Sequence, residues 1–211
     1  MVSNLVWLTV IVFCGSLFAG FEISNNGKTR GLGLDAGYVM PSGNNFSKSM
    51  ALGVNLFYSL SNQFRVELKA TVFAGKVEND PEGISAGTLA VIPLQLSIQY
   101  RLRISPRFIP YVGAGVGYYL NQFSLEGKNN WEALGYKVTE NYESVIGYHF
   151  GTGIDYFIKS KMVVNIDVRY AVASFKGSYS ITELVSGISR GGYIKRDLNY
   201  LSFGTGIKFL F

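Results

Sequence analysis

From residue 31 onward the chain alternates apolar and polar positions with a period of two, and the i, i+3, i+4 spacing of amphipathic helices is nearly absent. Met162, Val164, Ile166, Val168, Tyr170 and Val172 make one face of a run whose other face is Val163, Asn165, Asp167, Arg169, Ala171 and Ala173. Leu201, Phe203, Thr205, Ile207, Phe209 and Phe211 alternate in the same way with Ser202, Gly204, Gly206 and Lys208, and Leu94, Leu96, Ile98 and Tyr100 with Gln95, Ser97, Gln99 and Arg101. Successive side chains of a strand point to opposite faces, so each run reads as a two-faced strand. The pattern predicts eight strands, at residues 31–40, 48–58, 64–77, 87–103, 108–123, 143–158, 162–176 and 198–211. Ser59–Gln63, Ile104–Arg107 and Lys159–Lys161 read as tight turns, 78–86, 124–142 and 177–197 as long loops, and 41–47 as a short one. Tight turns then gather at one end and the long loops at the other, as in an up-and-down antiparallel arrangement.

One face of every strand is uniformly bulky and apolar; the other is rich in glycine with sparse charges of both signs. Glycine weakens an exposed strand, whereas small residues inside a narrow barrel make room for large ones. The expected fold is therefore all-β, an eight-stranded antiparallel up-and-down transmembrane β-barrel with its apolar side outward. A soluble lipocalin-like binder would need the reverse, the apolar face inside. Tyr58, Phe64, Tyr100, Phe108, Tyr156, Phe209 and Phe211 fall at the tight-turn end and Tyr38, Tyr118 and Tyr148 near the other, which reads as two interfacial girdles.

Composition narrows the picture further. Of 211 residues 48% are hydrophobic and only 16% charged, against about 25% charged in soluble domains. After residue 21 no apolar run approaches the roughly 18 residues of a spanning helix. One His and one Cys leave no His/Cys metal site and no cofactor is expected, while 19 scattered basic residues at net charge +5 argue against nucleic acid. Residues 1–20 read as a signal peptide, with Leu5–Phe13 as apolar core and cleavage near 16–19, followed by a barrel domain at 21–211. The usual cationic start is missing, and Cys14 offers lipoprotein acylation as an alternative, although Phe13 suits that cleavage poorly.

Three segments carry a family resemblance: Ile92–Arg103 (IPLQLSIQYRLR), Pro110–Tyr119 (PYVGAGVGYY) and the ending GTGIKFLF. Together they resemble the OmpW-like and broader OmpA-like eight-stranded outer-membrane barrels of Gram-negative bacteria. The resemblance implies outer-membrane localisation, contact with outer-membrane lipid, and tight turns facing the periplasm. It also implies that Gly206, Phe209 and Phe211 form the signal read by the barrel assembly machinery, although Gly204 departs from that signal's usual polar residue.

With that orientation the inward positions divide by height. Asp35, Arg65, Glu67, Lys69, Arg101, Arg103, Asp155, Asp167, Arg169 and Lys208 occupy the lower half with Asn55, Gln99 and Asn165, and are expected to pair into a plug. Phe73, Val91, Pro93, Tyr119, Val145, His149, Ala171, Ala173, Phe175 and Tyr200 occupy the outer half. That half is either a cup for a small apolar ligand, with Phe73, Val91, Tyr119, Val145, His149, Phe175 and Tyr200 as its contacts, or a core packed on itself. Pro93 interrupts a strand that has no edge to hide it, so it marks either a bulge or a lateral seam. OmpW-like barrels are thought to pass apolar molecules sideways into the membrane, which would give such a seam a use.

An enzyme is not expected: similar lipid A deacylases use a His-x-Ser pair, whereas Phe150 and Gly151 follow His149. Two functions remain, admission of small apolar compounds, and a non-transporting surface or structural role through the long loops, where Trp131, Tyr136 and Tyr142 lie.

Overall fold

The computed structural model describes residues 29–42, 46–77, 87–125 and 128–211. The leader expected at 1–20 and the loop at 78–86 lie outside the described residues. Eight strands close into an antiparallel barrel: β1 (Arg30–Pro41), β2 (Ser49–Ser59), β3 (Phe64–Val77), β4 (Gly87–Arg101), β5 (Phe108–Leu125), β7 (Val145–Lys159), β8 (Met162–Val172) and β11 (Tyr200–Leu210). Each pairs with its sequence neighbour in the barrel, and β1 and β11 close the ring from Gly31 opposite Leu210 to Pro41 opposite Tyr200.

The faces are as the alternation predicts. Ile166 at 56% exposure, Met50 at 75% and Phe203 at 43% point outward, while Arg65 and Glu67, both at 2%, point in. Charges inside and aliphatic side chains outside invert a water-soluble protein, and the arrangement is stable where the surroundings are hydrocarbon. The girdle aromatics are all partly exposed, with Phe64 and Tyr100 in ring contact at 5.3 Å. Glycines give the narrow lumen its clearance: a Cβ on Gly115 would stand 2.7 Å from the His149 ring.

Two expectations about the connections are corrected. The segments expected as loops 124–142 and 177–197 hold a short helix α1 (Lys128–Ala133) and three strands, β6 (Tyr136–Tyr142), β9 (Ser174–Glu183) and β10 (Ser189–Asp197), forming a separate sheet in the order β10-β9-β6. The run expected to continue from 162 to 176 therefore changes partners. Val172 is the last β8 residue paired in the barrel, opposite Tyr148, and Ser174 already pairs with Asp197 of β10. Phe175, Tyr142 and Val138 are buried, whereas Lys176, Ser178 and Lys137 on the alternate positions are exposed. That alternation is the signal of a half-buried sheet, here diluted by glycine and charge.

Candidate functional site

The lower lumen is a connected network to which all eight barrel strands contribute. At its centre Asp155 of β7 accepts from Arg65 Nη1 at 2.6 Å, Lys208 Nζ at 3.2 Å and Asn165 Nδ2 at 2.9 Å, with Arg101 Nη2 at 3.9 Å. Arg65 Nε donates to Gln99 Oε1 at 2.6 Å, and its guanidinium lies between the rings of Phe57 and Tyr111, 5.1 and 5.2 Å from their centroids. Glu67 takes Arg169 at 2.9 Å and Lys208 at 3.5 Å. Lys69 reaches Asp35 at 3.0 Å and Asp167 at 3.5 Å, and Asn55 Nδ2 donates to Asp35 at 2.9 Å.

Burying so many charges is tolerable only because nearly every one meets an opposite charge or a hydrogen-bond partner. One expected member is absent. Arg103 lies beyond the end of β4, exposed on the turn, because inward parity has meaning only while the strand lasts. Tyr111 and Gln95 join unannounced: Tyr111 Oη accepts from Asn165 at 3.0 Å, and Gln95 Oε1 accepts from Arg169 Nη1 at 2.8 Å. Both sit at inward positions of their strands, which is the signal that could have found them.

Above this floor is an apolar layer. Phe73, Val91, Tyr119, Phe175 and Tyr200 belong to one buried cluster with Val39, Ala171 and Ala173, and Val145 packs partly buried against it. Phe73 and Tyr200 meet edge-on at 5.2 Å, Tyr119 and Tyr200 at 6.5 Å, and Phe46 covers Phe73 at 6.4 Å. The layer is packed rather than hollow. Between it and the charged floor, a cavity of about 30 Å³ is lined by Val39, Phe73 and Tyr200 on one side and Lys69, Asp167 and Arg169 on the other, room for one or two waters. Gln95 Nε2 joins the storeys by donating to Tyr119 Oη at 3.2 Å. His149, expected with the apolar contacts, belongs to the polar floor: its Nε2 is 2.8 Å from Ser97 Oγ, beside a second cavity of about 10 Å³.

Pro93 is buried, faces the lumen and pairs with Tyr119 of β5. On its other side the β3–β4 ladder runs from Phe64 opposite Tyr100 to Ala70 opposite Leu94, then resumes at Phe73 opposite Val91 in the same register. No bulge stands there. Thr71 and Val72, facing Pro93 and Ile92 respectively, are left out of the ladder, as expected where a proline has no N–H to donate.

At the tight-turn end Phe209 and Phe211 are exposed outward, and Gly206 lies on the inward face between Asp35 and Asn165. The guanidinium of Arg30 stands 5.8 Å from the Phe211 ring centroid.

Comparison with known proteins agrees with this architecture. The chain is 25% identical over 171 residues to the outer-membrane protein y4mB of Sinorhizobium fredii, a match covering 76% of this chain and 71% of that one. The crystal structure of the outer membrane protein OprG from Pseudomonas aeruginosa superposes with a TM-score of 0.68 at 20% identity, over 87% of this chain and 95% of that one. Neisserial surface protein A gives 0.54 at 15% identity, covering 88% and 98%. Both share the fold. The profile of the OmpW family matches residues 19–209. A match of that span, on an eight-stranded barrel with its apolar side outward, makes this chain an outer-membrane barrel protein of the OmpW family.

Proposed function

We propose that the barrel admits small apolar compounds at its outer mouth and releases them sideways into the membrane between β3 and β4. The carrying observation is the gap in the ladder at Thr71–Val72 and Ile92–Pro93, directly beside the apolar layer at Phe73 and Val91. A compound entering this layer finds five cations and four carboxylates below it, a floor that an uncharged apolar molecule cannot cross without desolvating them. The wall beside it lacks two pairs of ladder positions. Ligand contact falls to Phe73, Val91, Tyr119, Val145, Phe175 and Tyr200, whose rings must separate to make room, with His149 and Ser97 at the polar boundary.

Uptake of a small apolar compound by cells producing the protein tests this reading. Pro93→Ala returns a backbone donor to the wall, so uptake should fall several-fold while displacement of a hydrophobic fluorescent probe from refolded protein stays nearly unchanged. Phe73→Asp should abolish probe binding by placing a carboxylate in the layer. In a planar bilayer the unmodified protein should show little or no ionic conductance. Unaltered uptake in Pro93→Ala, or a large steady conductance, would reject the lateral route.

A second reading, a surface role without transport, is favoured by the sheet β10-β9-β6, whose Tyr193 is 93% exposed beside Ser178. Unchanged uptake in both variants, with cell or phage attachment lost on replacing Tyr193, would favour it.

The exposed Phe209 and Phe211 with Gly206 fit the signal for the barrel assembly machinery. Changing both phenylalanines to Ser should strongly reduce the amount of heat-modifiable, membrane-inserted protein; unchanged levels would place the signal elsewhere.

A further inference from the structure

The tight-turn end carries a concentrated basic patch that neither the plug nor the lateral route uses. Arg103 and Arg107 belong to the β4–β5 turn, Lys159 ends β7 and Lys161 lies in the turn that follows it, and residues 102–107 and 157–161 contain no Asp or Glu. All four cations are exposed, and among the described residues none forms an ion pair. The two turns are neighbours: Phe157 N donates to Arg107 O at 2.9 Å, extending the β5–β7 ladder past Phe108 opposite Tyr156.

Apolar side chains are interleaved with these charges. Leu102, Ile104 and Ile158 are exposed, Ile104 at 71%, and the girdle residues Tyr100, Phe108 and Tyr156 lie just inside them. Arg107 adjoins Phe108, Arg103 is three residues past Tyr100, and Lys159 is three past Tyr156. At about 3.3 Å per residue these three cations stand within about 10 Å of the girdle, the depth of the headgroup layer. Short turns of such barrels face the periplasm, so the layer is that of the inner leaflet.

We propose that this corner of the barrel binds the phosphate headgroup of an anionic phospholipid of the inner leaflet, with the acyl chains against Ile104, Ile158, Phe108 and Tyr156. Four like charges on adjacent turns repel one another, and a phosphate shared among them removes that repulsion. A soluble polyanion would satisfy the charges and leave Ile104 and Ile158 in water; a lipid satisfies both. The proposal rests on the fold and membrane orientation and is independent of the transport reading.

The test uses the full barrel refolded in mixed phosphatidylcholine and phosphatidylglycerol bilayers, extracted in mild detergent, with co-purified lipid measured by mass spectrometry. Phosphatidylglycerol should be enriched at least about fivefold over its bulk share, the effect of one engaged basic residue near an anionic surface, and the enrichment should fall with salt. Arg103→Gln, Arg107→Gln, Lys159→Gln and Lys161→Gln combined should return it to the bulk ratio. The equivalent Lys137→Gln, Lys176→Gln, Arg190→Gln and Lys195→Gln set on the outer sheet should not. Heat-modifiable gel mobility verifies that both variants are folded. Absence of enrichment in the unmodified protein, enrichment retained in the turn variant, or equal loss in the outer-sheet variant overturns the proposal. So does binding of peptidoglycan fragments that depends on the four residues without phosphatidylglycerol enrichment, which would assign the patch to the cell wall.

Discussion

Asp155→Asn should lower the stability of the refolded barrel by about 3–5 kcal/mol, the usual penalty for removing one partner from a buried ion-paired group. Asp155 is the most heavily shared carboxylate of the lumen: Arg65 donates to its Oδ2, from which Arg101 stands at 3.9 Å, and Lys208 and Asn165 both donate to its Oδ1. The amide keeps the shape and removes the charge, so three cations would face one another in a space from which water is largely excluded. Denaturant unfolding followed by loss of the heat-modifiable form measures the effect. Lys161→Gln on the exposed turn, with no ion pair among the described residues, should change stability by less than about 0.5 kcal/mol. A loss below about 1 kcal/mol for Asp155→Asn, as for an exposed pair, would show that the lower lumen is hydrated and the plug is not closed.

Ile166→Arg should cost about 2–4 kcal/mol, the effect of a cation on the lipid face near the bilayer midplane. Ile166 lies near the middle of β8, between Ile154 of β7 and Thr205 of β11, and its side chain points away from the lumen. Ala171, on the opposite face and fully buried beneath Tyr200 and Phe175, should reject arginine through crowding, an effect that persists in any membrane mimetic. Ser186, exposed in the turn between β9 and β10, should accept it at little cost. Refolding yields in bilayers and denaturant midpoints distinguish the three sites. Equal tolerance at Ile166 and Ser186 would invert the assignment of faces.

The number of barrel strands, their antiparallel order and the inside-out placement of charge were legible in the sequence because each depends on a local rule. A period of two assigns a face to every residue of a strand, and glycine opposite bulky apolar residues distinguishes a narrow lumen from a solvated surface. Nearly all the charges of the plug follow from that parity, as does the gathering of Phe73, Val91, Tyr119, Phe175 and Tyr200 in the outer half. Arg103 shows where the rule stops: it has the parity of Arg101, but β4 ends before it, and the residue joins the turn instead.

Only the tertiary structure could decide which residues meet across the lumen. Arg65 and Asp155 are 90 positions apart, and Arg169 and Glu67 are 102 apart, so their pairing depends on barrel closure and register rather than on any local pattern. The same holds for the outer sheet, in which β9 leaves the barrel to pair with β6 and β10, and for the missing pairs at Pro93, whose register continues without a bulge. His149 lay at an inward position by parity, but its partner Ser97 belongs to a strand two away around the ring, with β5 between them. Periodicity thus determined which way each side chain points; closure of the eight strands determined what it meets there, because an interior just wide enough for side chains brings opposite walls into contact.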